Sequence, residues 1–401
     1  MITVDRALAL VREACSAGPV ERAPLSDGLG RVLASDARSD VDWPPFDTSA
    51  MDGYAVRIAD AARGRALAER PGLVAAGDIP PAPLGAGEAV RVMTGAPLPP
   101  GTEAVVPVEK AVRENGSVVA ATPPLEGEHV RRRGESVRAG SILVTRGRRL
   151  GPADIALAAL AGCDPLEVHA RPRVTIAVTG NELVPASARP GPGQLRNSNG
   201  PMLAALCGAR GARVASRAAV ADEGGAVRGL FAEAGRDEDL LITSGGVSAG
   251  DLDLLPAEAE RAGFELLFHG VAMRPGKPVV FGRRARTVWL GLPGNPVSSA
   301  VCMRLFGIMA LDALAGVERP GPAFLTARLT RPVSVRGQRE AFQDATLEVS
   351  DGQLRVTQLD TLGSHDLAAH ARSNALLRVP AGAERLAAGA IAECLLLGEL
   401  P

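Results

Sequence analysis

The stretch LLITSGGVSAGDLD, residues 240–253, gathers anion-friendly and acidic groups within one short segment. Leu240, Leu241 and Ile242 form an apolar run that halts at Thr243, Ser244, Gly245 and Gly246, the pattern of a buried strand ending in a tight turn. Paired glycines reach positive φ and let amide groups approach a ligand, so this turn can cradle an anion, with Ser244 and Ser248 adding hydroxyls. Gly250 allows a second bend, and Asp251 and Asp253 follow it. Anion-binding amides followed by carboxylates suit a place where a phosphate meets a divalent cation. The same residues also read as an ordinary strand-to-helix loop with an Asp cap. Neither Gly-Lys-Ser/Thr nor Gly-x-Gly-x-x-Gly occurs here, which argues against ordinary ATPases and NAD enzymes.

The elements that must position these residues begin at Val174. From there the pattern repeats strand, turn and helix: Val174 to Val178 ends in Thr179-Gly180-Asn181-Glu182, and a helix with Asn199 as its cap carries Met202, Leu203 and Leu206. Val214 to Val220 reads as a strand ending in Asp222-Glu223, and Val279 to Phe281 and Val288 to Leu292 read as further buried strands. Such alternation predicts a largely parallel sheet covered by helices, with ligands outside the carboxyl ends of its strands. Glu182, Asp222, Asp251 and Asp253 each follow a strand end, so one rim could hold all four. Arg274 and Lys277, in the turn Met273 to Lys277, are expected on its basic side. Asn295-Pro296 suits the start of a helix, where Asn295 either caps or leaves amides free for an oxyanion.

Upstream, MITVDRALALVREAC predicts an amphipathic helix with Val4, Ala7, Leu8 and Val11 on one face, not a signal peptide. Asp52-Gly53 between apolar residues predicts a hairpin turn with the Asp52 carboxylate at its exposed tip. Residues 58–135 are short Val-rich runs broken by Pro and Gly, a small all-β domain. Thr94 follows the run Val90 to Met93, so its hydroxyl lies at a strand end and serves a turn or a site. Arg131, Arg132 and Arg133 form a solvated face or, as the rarer alternative, an anion site. A helix is expected near Asp154 to Ala161, and Arg171-Pro172-Arg173 reads as a linker, as does the proline-rich segment 318–322. Residues 323–401 alternate as strands, with a hairpin at Ser350-Asp351-Gly352.

A chain of 401 residues predicts two to four domains. Aromatic content of 3% and a net charge of −1 argue against nucleic-acid or membrane partners. No run of 18 or more apolar residues is read in the chain, so no bilayer span is expected. The five cysteines are scattered, without Cys-x-x-Cys, and are expected as buried, reduced thiols in a cytosolic protein. Any metal should be hard and held by oxygen.

DTSAMDGYAVR, RVMTGAPLPPG, VTGNEL, TSGGVSAGDLD, MRPGKPVVFG and GLPGNPVSSA, in this order, resemble the molybdopterin molybdenumtransferase family (MoeA type, related to the C-terminal part of gephyrin). The resemblance covers almost the whole chain. It implies insertion of molybdate into adenylylated molybdopterin with Mg2+, giving molybdenum cofactor and AMP. It implies an α/β plus β fold: an elongated, multidomain chain with a central three-layer α/β domain of mostly parallel sheet, a small N-terminal β domain and a C-terminal β domain. The expected domains are 1–42 with 136–170, an inserted 43–135, a central 171–318 and a terminal 319–401.

Carried over by motif, Asp52, Thr94, Glu182, Asp222 and Asp253 are implied as catalytic. Ser244, Gly245, Gly246, Ser248, Arg274, Lys277 and Asn295 are implied in binding the substrate phosphates, and Asp222, Asp251 and Asp253 in binding Mg2+. Family members are homodimers whose site lies between subunits, which would bring Asp52 and Thr94 to the distant rim. Transient contacts with molybdopterin adenylyltransferase and with recipient molybdoenzymes are implied as well. Three alternatives stay open: adenylyl transfer from ATP, a scaffold, and a molybdopterin carrier of weak catalysis. Asn181, Leu252 and Leu254, which depart from the common pattern, motivate the last.

Overall fold

The computed structural model describes residues 1–62, 64–216, 224–234, 236, 238–247, 254–334, 337–383 and 385–398. Two compact units emerge: Met1–Ser35, Arg146–Gly151 and Glu167–Pro401 form the first, and Asp36–Thr145 with Pro152–Leu166 form the second.

The first unit is built on a six-stranded sheet in the order Arg213–Ser216, Arg173–Val178, Leu240–Ser244, Thr287–Leu292, Val280–Arg284, Glu265–His269. The first four strands are parallel. Val280–Arg284 returns antiparallel as a hairpin, and Glu265–His269 reverses again, so five of the six share one direction. Side chains alternate faces along each strand. Leu240 and Ile242 join Val174, Ile176, Val288 and Leu290 in one core, while Leu241 joins Ala177, Val280 and Trp289 in the other. Burial on both faces explains why these strands read as continuous apolar runs. Helices Val4–Ala14, Asn199–Ala209 and Pro296–Cys302 cover the first face, and Gly224–Glu233 and Leu255–Arg261 cover the second. This is the three-layer arrangement expected.

The first helix starts where Thr3 Oγ1 accepts the Arg6 amide at 3.2 Å, and it buries Val4, Ala7 and Val11. Two readings are corrected. Arg173 is the first residue of a sheet strand, so the expected linker does not extend past Pro172. Cys15 and Cys163 are only half-buried, whereas Cys207, Cys302 and Cys394 are buried, and all five thiols are free. One helical stretch among the described residues, Pro296–Leu314, is 19 residues long and apolar enough by composition to cross a membrane, but Arg304 and Asp312 interrupt its apolar run and 94% of its window is buried inside the protein, as in a core helix.

The C-terminal strands close into a barrel. Glu340–Ser350 pairs with Gln353–Gln358 and with Ala375–Val379, and the circuit is completed through Phe324–Leu329 and Ile391–Leu396. The expected hairpin turns at Asp351 and Gly352, with φ of 52° and 71°. Barrel residues Phe342, Leu376 and Leu395 belong to the same core as the central sheet. A two-residue strand from the central region, Met273–Arg274, pairs in parallel with Glu340 and Ala341 of the barrel.

The second unit holds another six-stranded sheet, in the order Ala104–Pro107, Gly53–Val56, Glu88–Val92, Ala66–Val74, Ser117–Ala120, Ala111–Glu114. Its helix is Pro152–Leu160. Here the Asp52-Gly53 hairpin is overturned. Gly53–Val56 is a central strand flanked by two partners, while Thr48–Ser49 pairs elsewhere, with Val130 and Arg131. Gly53 is needed because a Cβ would lie 2.4 Å from the Val106 carbonyl oxygen.

Candidate functional site

A cavity of about 730 Å³ opens at the carboxyl ends of Arg173–Val178, Leu240–Ser244 and Thr287–Leu292. Its floor is the expected turn. Gly245 and Gly246 have φ of 101° and 62°, and a Cβ on Gly245 would lie 2.6 Å from the Thr179 carbonyl oxygen. Glycine is thus required twice over, by conformation and by close approach. The Ser244 hydroxyl donates to the Pro293 carbonyl at 3.3 Å and accepts from Asn199 Nδ2 at 2.9 Å. Asn199 Nδ2 also donates to the Gly294 carbonyl at 2.8 Å.

Asn199 is therefore not the expected cap. It lies inside its helix, where it joins the 179–182, 244–246 and 293–295 segments around the cavity. This role escaped the sequence reading because its partners lie far along the chain. Asn199 Oδ1 and Thr179 Oγ1 are buried without a hydrogen-bond partner among the described residues. Buried polar atoms are ordinarily satisfied, so both suit a ligand or water. The Glu182 carboxylate lies against Gly180, where a Cβ would be 2.7 Å from either oxygen.

Asn295 occupies the cap position of Pro296–Cys302 but makes no side-chain cap bond. Its Nδ2 donates to Ser364 Oγ at 3.1 Å, and the Val297 amide donates to the Ser364 carbonyl at 3.1 Å. Neither simple capping nor a fully open amide corner describes it.

A second cavity, about 460 Å³, lies against the barrel and shares Pro278 with the first. Arg274 and Lys277 line this neighbouring space, not the first cavity. The cause is the pairing of Met273–Arg274 with the barrel edge. Arg339 joins them and donates to the Met273 carbonyl at 3.2 Å. Among the described residues the side chains of Arg274 and Lys277 have no hydrogen bond or ion pair. Asp344, the acidic group here, is buried and held by His370 Nδ1 at 2.6 Å. Three cations against one carboxylate give the cavity an excess of positive charge. The Coulomb attraction of an anion ~4 Å from one such cation is about 4 kcal/mol at an effective dielectric near 20, of which desolvation and solvent screening at exposed side chains leave only a fraction.

Asp222, Ser248, Asp251 and Asp253 lie outside the described residues. Among the described residues no group of three His, Cys, Asp or Glu gathers as a metal site.

In the second unit, Asp52 and Thr94 do meet. Asp52 Oδ1 accepts both the Thr94 hydroxyl and the Thr94 amide at 2.7 Å. The hydroxyl bond first, then the amide bond, hold this carboxyl below the usual carboxylate range. Nearby, Arg91 donates to Tyr54 Oη at 2.8 Å. Of the arginine cluster, Arg132 pairs with Asp47 and Arg133 with Asp42, both at 2.7 Å, so these two form the solvated face expected and are ion-paired as well.

Comparison with known proteins accounts for this arrangement in three consecutive parts. Residues 2–162 match the MoeA N-terminal region (domain I and II), residues 175–313 a probable molybdopterin binding domain, and residues 326–397 the MoeA C-terminal region (domain IV). The chain is 38% identical to molybdopterin molybdenumtransferase 2 of Mycobacterium tuberculosis, covering 91% of this chain and 92% of that one. It is 34% identical to the molybdopterin molybdenumtransferase of Bacillus subtilis, covering 99% and 94%. A solved structure, the molybdopterin biosynthesis MoeA protein from Pyrococcus horikosii, superimposes with a TM-score of 0.83 at 30% identity over 100% of both chains. With every part matched in order and over nearly its full length, the chain belongs to the molybdopterin molybdenumtransferase family, MoeA type.

Proposed function

We propose that this chain inserts molybdenum from molybdate into molybdopterin presented in adenylylated form, with release of AMP. The observation that carries this reading is the pair of adjoining cavities. One has the Gly245-Gly246 turn, Asn199 and Glu182; the other has Arg274, Lys277 and Arg339. The relatives' names supply the reaction class, transfer of molybdenum to molybdopterin.

The first cavity holds the pterin end of the substrate, with the unpartnered Asn199 Oδ1 accepting from it and the glycine turn admitting its phosphate. The unpaired cations of the second cavity hold anionic oxygen, both of the pyrophosphate and of the incoming molybdate dianion. Water then cleaves the pyrophosphate linkage, leaving the pterin phosphate and AMP. The donor set fits a hard cation: Glu182 beside the cavity, with Asp222, Asp251 and Asp253 following strand ends in sequence, offers oxygen alone. These residues would hold Mg2+, which when bound offsets the pyrophosphate charge. Asp52, kept ionised by Thr94, reaches the site from the second subunit of a homodimer in this reading. The protein would work in the cytoplasm, with transient contacts to the adenylyltransferase before it and molybdoenzymes after it.

The test is AMP release from adenylylated molybdopterin by purified protein with Mg2+, with and without molybdate, alongside assay of active cofactor. Molybdate-dependent AMP release with active cofactor supports the transferase. ATP consumption without molybdate would make it an adenylyltransferase, and tight binding without AMP would make it a carrier.

A further inference from the structure

The opposite edge of the central sheet has a cavity of its own, about 380 Å³, at the amino ends of the strands. Arg173 and Arg213 begin their strands, and Asp239 and Arg286 immediately precede theirs. Five strand residues at about 3.3 Å each place this edge roughly 17 Å from the carboxyl rim. The two cavities are therefore separate.

Four arginines line it, Arg171, Arg173, Arg213 and Arg286, against two carboxylates, Glu21 and Asp239. Arg173 pairs with Asp239 at 3.2 Å, and Arg171 with Asp27 at 2.9 Å. Arg213 and Arg286 have no side-chain hydrogen bond or ion pair among the described residues. Two unmatched guanidinium groups on one concavity stand out in a chain whose net charge is −1. Helix ends offset part of this charge, because Ala14 and Leu314, the last residues of their helices, also line the cavity. The Leu314 carbonyl, however, already accepts the Gly18 amide at 2.9 Å. Guanidinium forks match phosphate oxygens two at a time. Pro19 and Pro172 add an apolar wall for the group that carries the phosphate.

We propose that this cavity binds a small polyanion of the phosphate class, a phosphate ester or pyrophosphate, independently of the site on the carboxyl rim. Arg213 and Arg286 supply the binding charge, while Arg171 and Arg173 are held in place by their aspartates. The test is calorimetric titration of the full chain with inorganic pyrophosphate at constant ionic strength. It compares the wild type with Arg213→Gln/Arg286→Gln and with Arg274→Gln/Lys277→Gln. All four side chains are exposed, so both double variants should fold, as circular dichroism will check. The expected result is a class of sites that survives Arg274→Gln/Lys277→Gln and weakens by about tenfold or more in Arg213→Gln/Arg286→Gln. The proposal is overturned if no such class survives in the first case, or if Arg213→Gln/Arg286→Gln binds as the wild type does. Equal competition by sulfate at the same ionic strength would also overturn it, since that marks diffuse charge only.

Discussion

Replacing Gly245 by alanine should be the most damaging single methyl group in the first cavity. Two penalties add there. With φ at 101°, an L side chain is disfavoured by about 1–2 kcal/mol, and crowding in a packed interior adds about 1–3 kcal/mol. The crowding is severe because the new Cβ would meet backbone, the Thr179 carbonyl oxygen at 2.6 Å, which cannot swing aside. The expected total is about 2–5 kcal/mol, a large part of the roughly 5–15 kcal/mol that holds a domain together. Gly246 is the internal control. Its φ is 62° and its nearest neighbour is the flexible Leu255 side chain at 3.1 Å, so alanine there should cost only about 1–2 kcal/mol. Urea unfolding followed by Trp289 fluorescence reads both. Trp289 is fully buried and its Nε1 donates to Thr243 Oγ1 at 2.9 Å, just before the turn, and Trp43→Phe removes the other indole. If Gly245→Ala lost less than about 0.5 kcal/mol, or less than Gly246→Ala, close approach to Thr179 could not be what fixes this turn.

Thr94→Val should raise the Asp52 titration, measured by carbon-13 NMR, toward its ordinary value near 3.8. The depressed pKa means this carboxylate stabilises the second unit above its unfolded pKa, and that contribution is lost as pH falls through the folded pKa; an unmoved titration would refute the pairing. Asn199→Ala removes two hydrogen bonds, one of them fully buried, and should cost about 1–3 kcal/mol, with faster amide exchange at 244–246 and 294–295. Unchanged exchange would mean those segments are held without it. Lys277→Gln should weaken molybdate binding by about tenfold and flatten its salt dependence. Calorimetry at two salt concentrations checks this, and an unaltered salt slope would remove Lys277 from the anion site.

What could be read before the fold was known depended on how local its cause is. The Leu240–Ser244 strand and its glycine turn were legible because a strand buried on both faces writes an unbroken apolar run, and the run stops where positive φ begins. The Asp351-Gly352 hairpin was legible for a similar reason. Asp52-Gly53 carries the same local signal and misleads, because pairing with strands more than thirty residues away decides its conformation. Gly53 serves close packing on Val106, not a turn. Arg274 and Lys277 read together as a basic turn, but Arg274 ends a two-residue strand, and the cavity they line is set by its pairing with Glu340 and Ala341, which no spacing near residue 274 announces. Asn199 looked like a cap since caps and bridging amides use the same residue type.

The short Met273–Arg274 ladder also bears on how this architecture can be recombined. The barrel strand at Glu340 and Ala341 pairs with the segment that carries one cavity cation, and Arg339 grips the Met273 carbonyl. The barrel is thus not an interchangeable cassette. A chimera that grafts a relative's barrel at the proline-rich segment 318–322 would bring in a foreign edge beneath Arg274. To keep the cation where it is, the graft must carry residues 273–278 along with the barrel, so these two stretches, some sixty residues apart, are expected to be inherited as a pair.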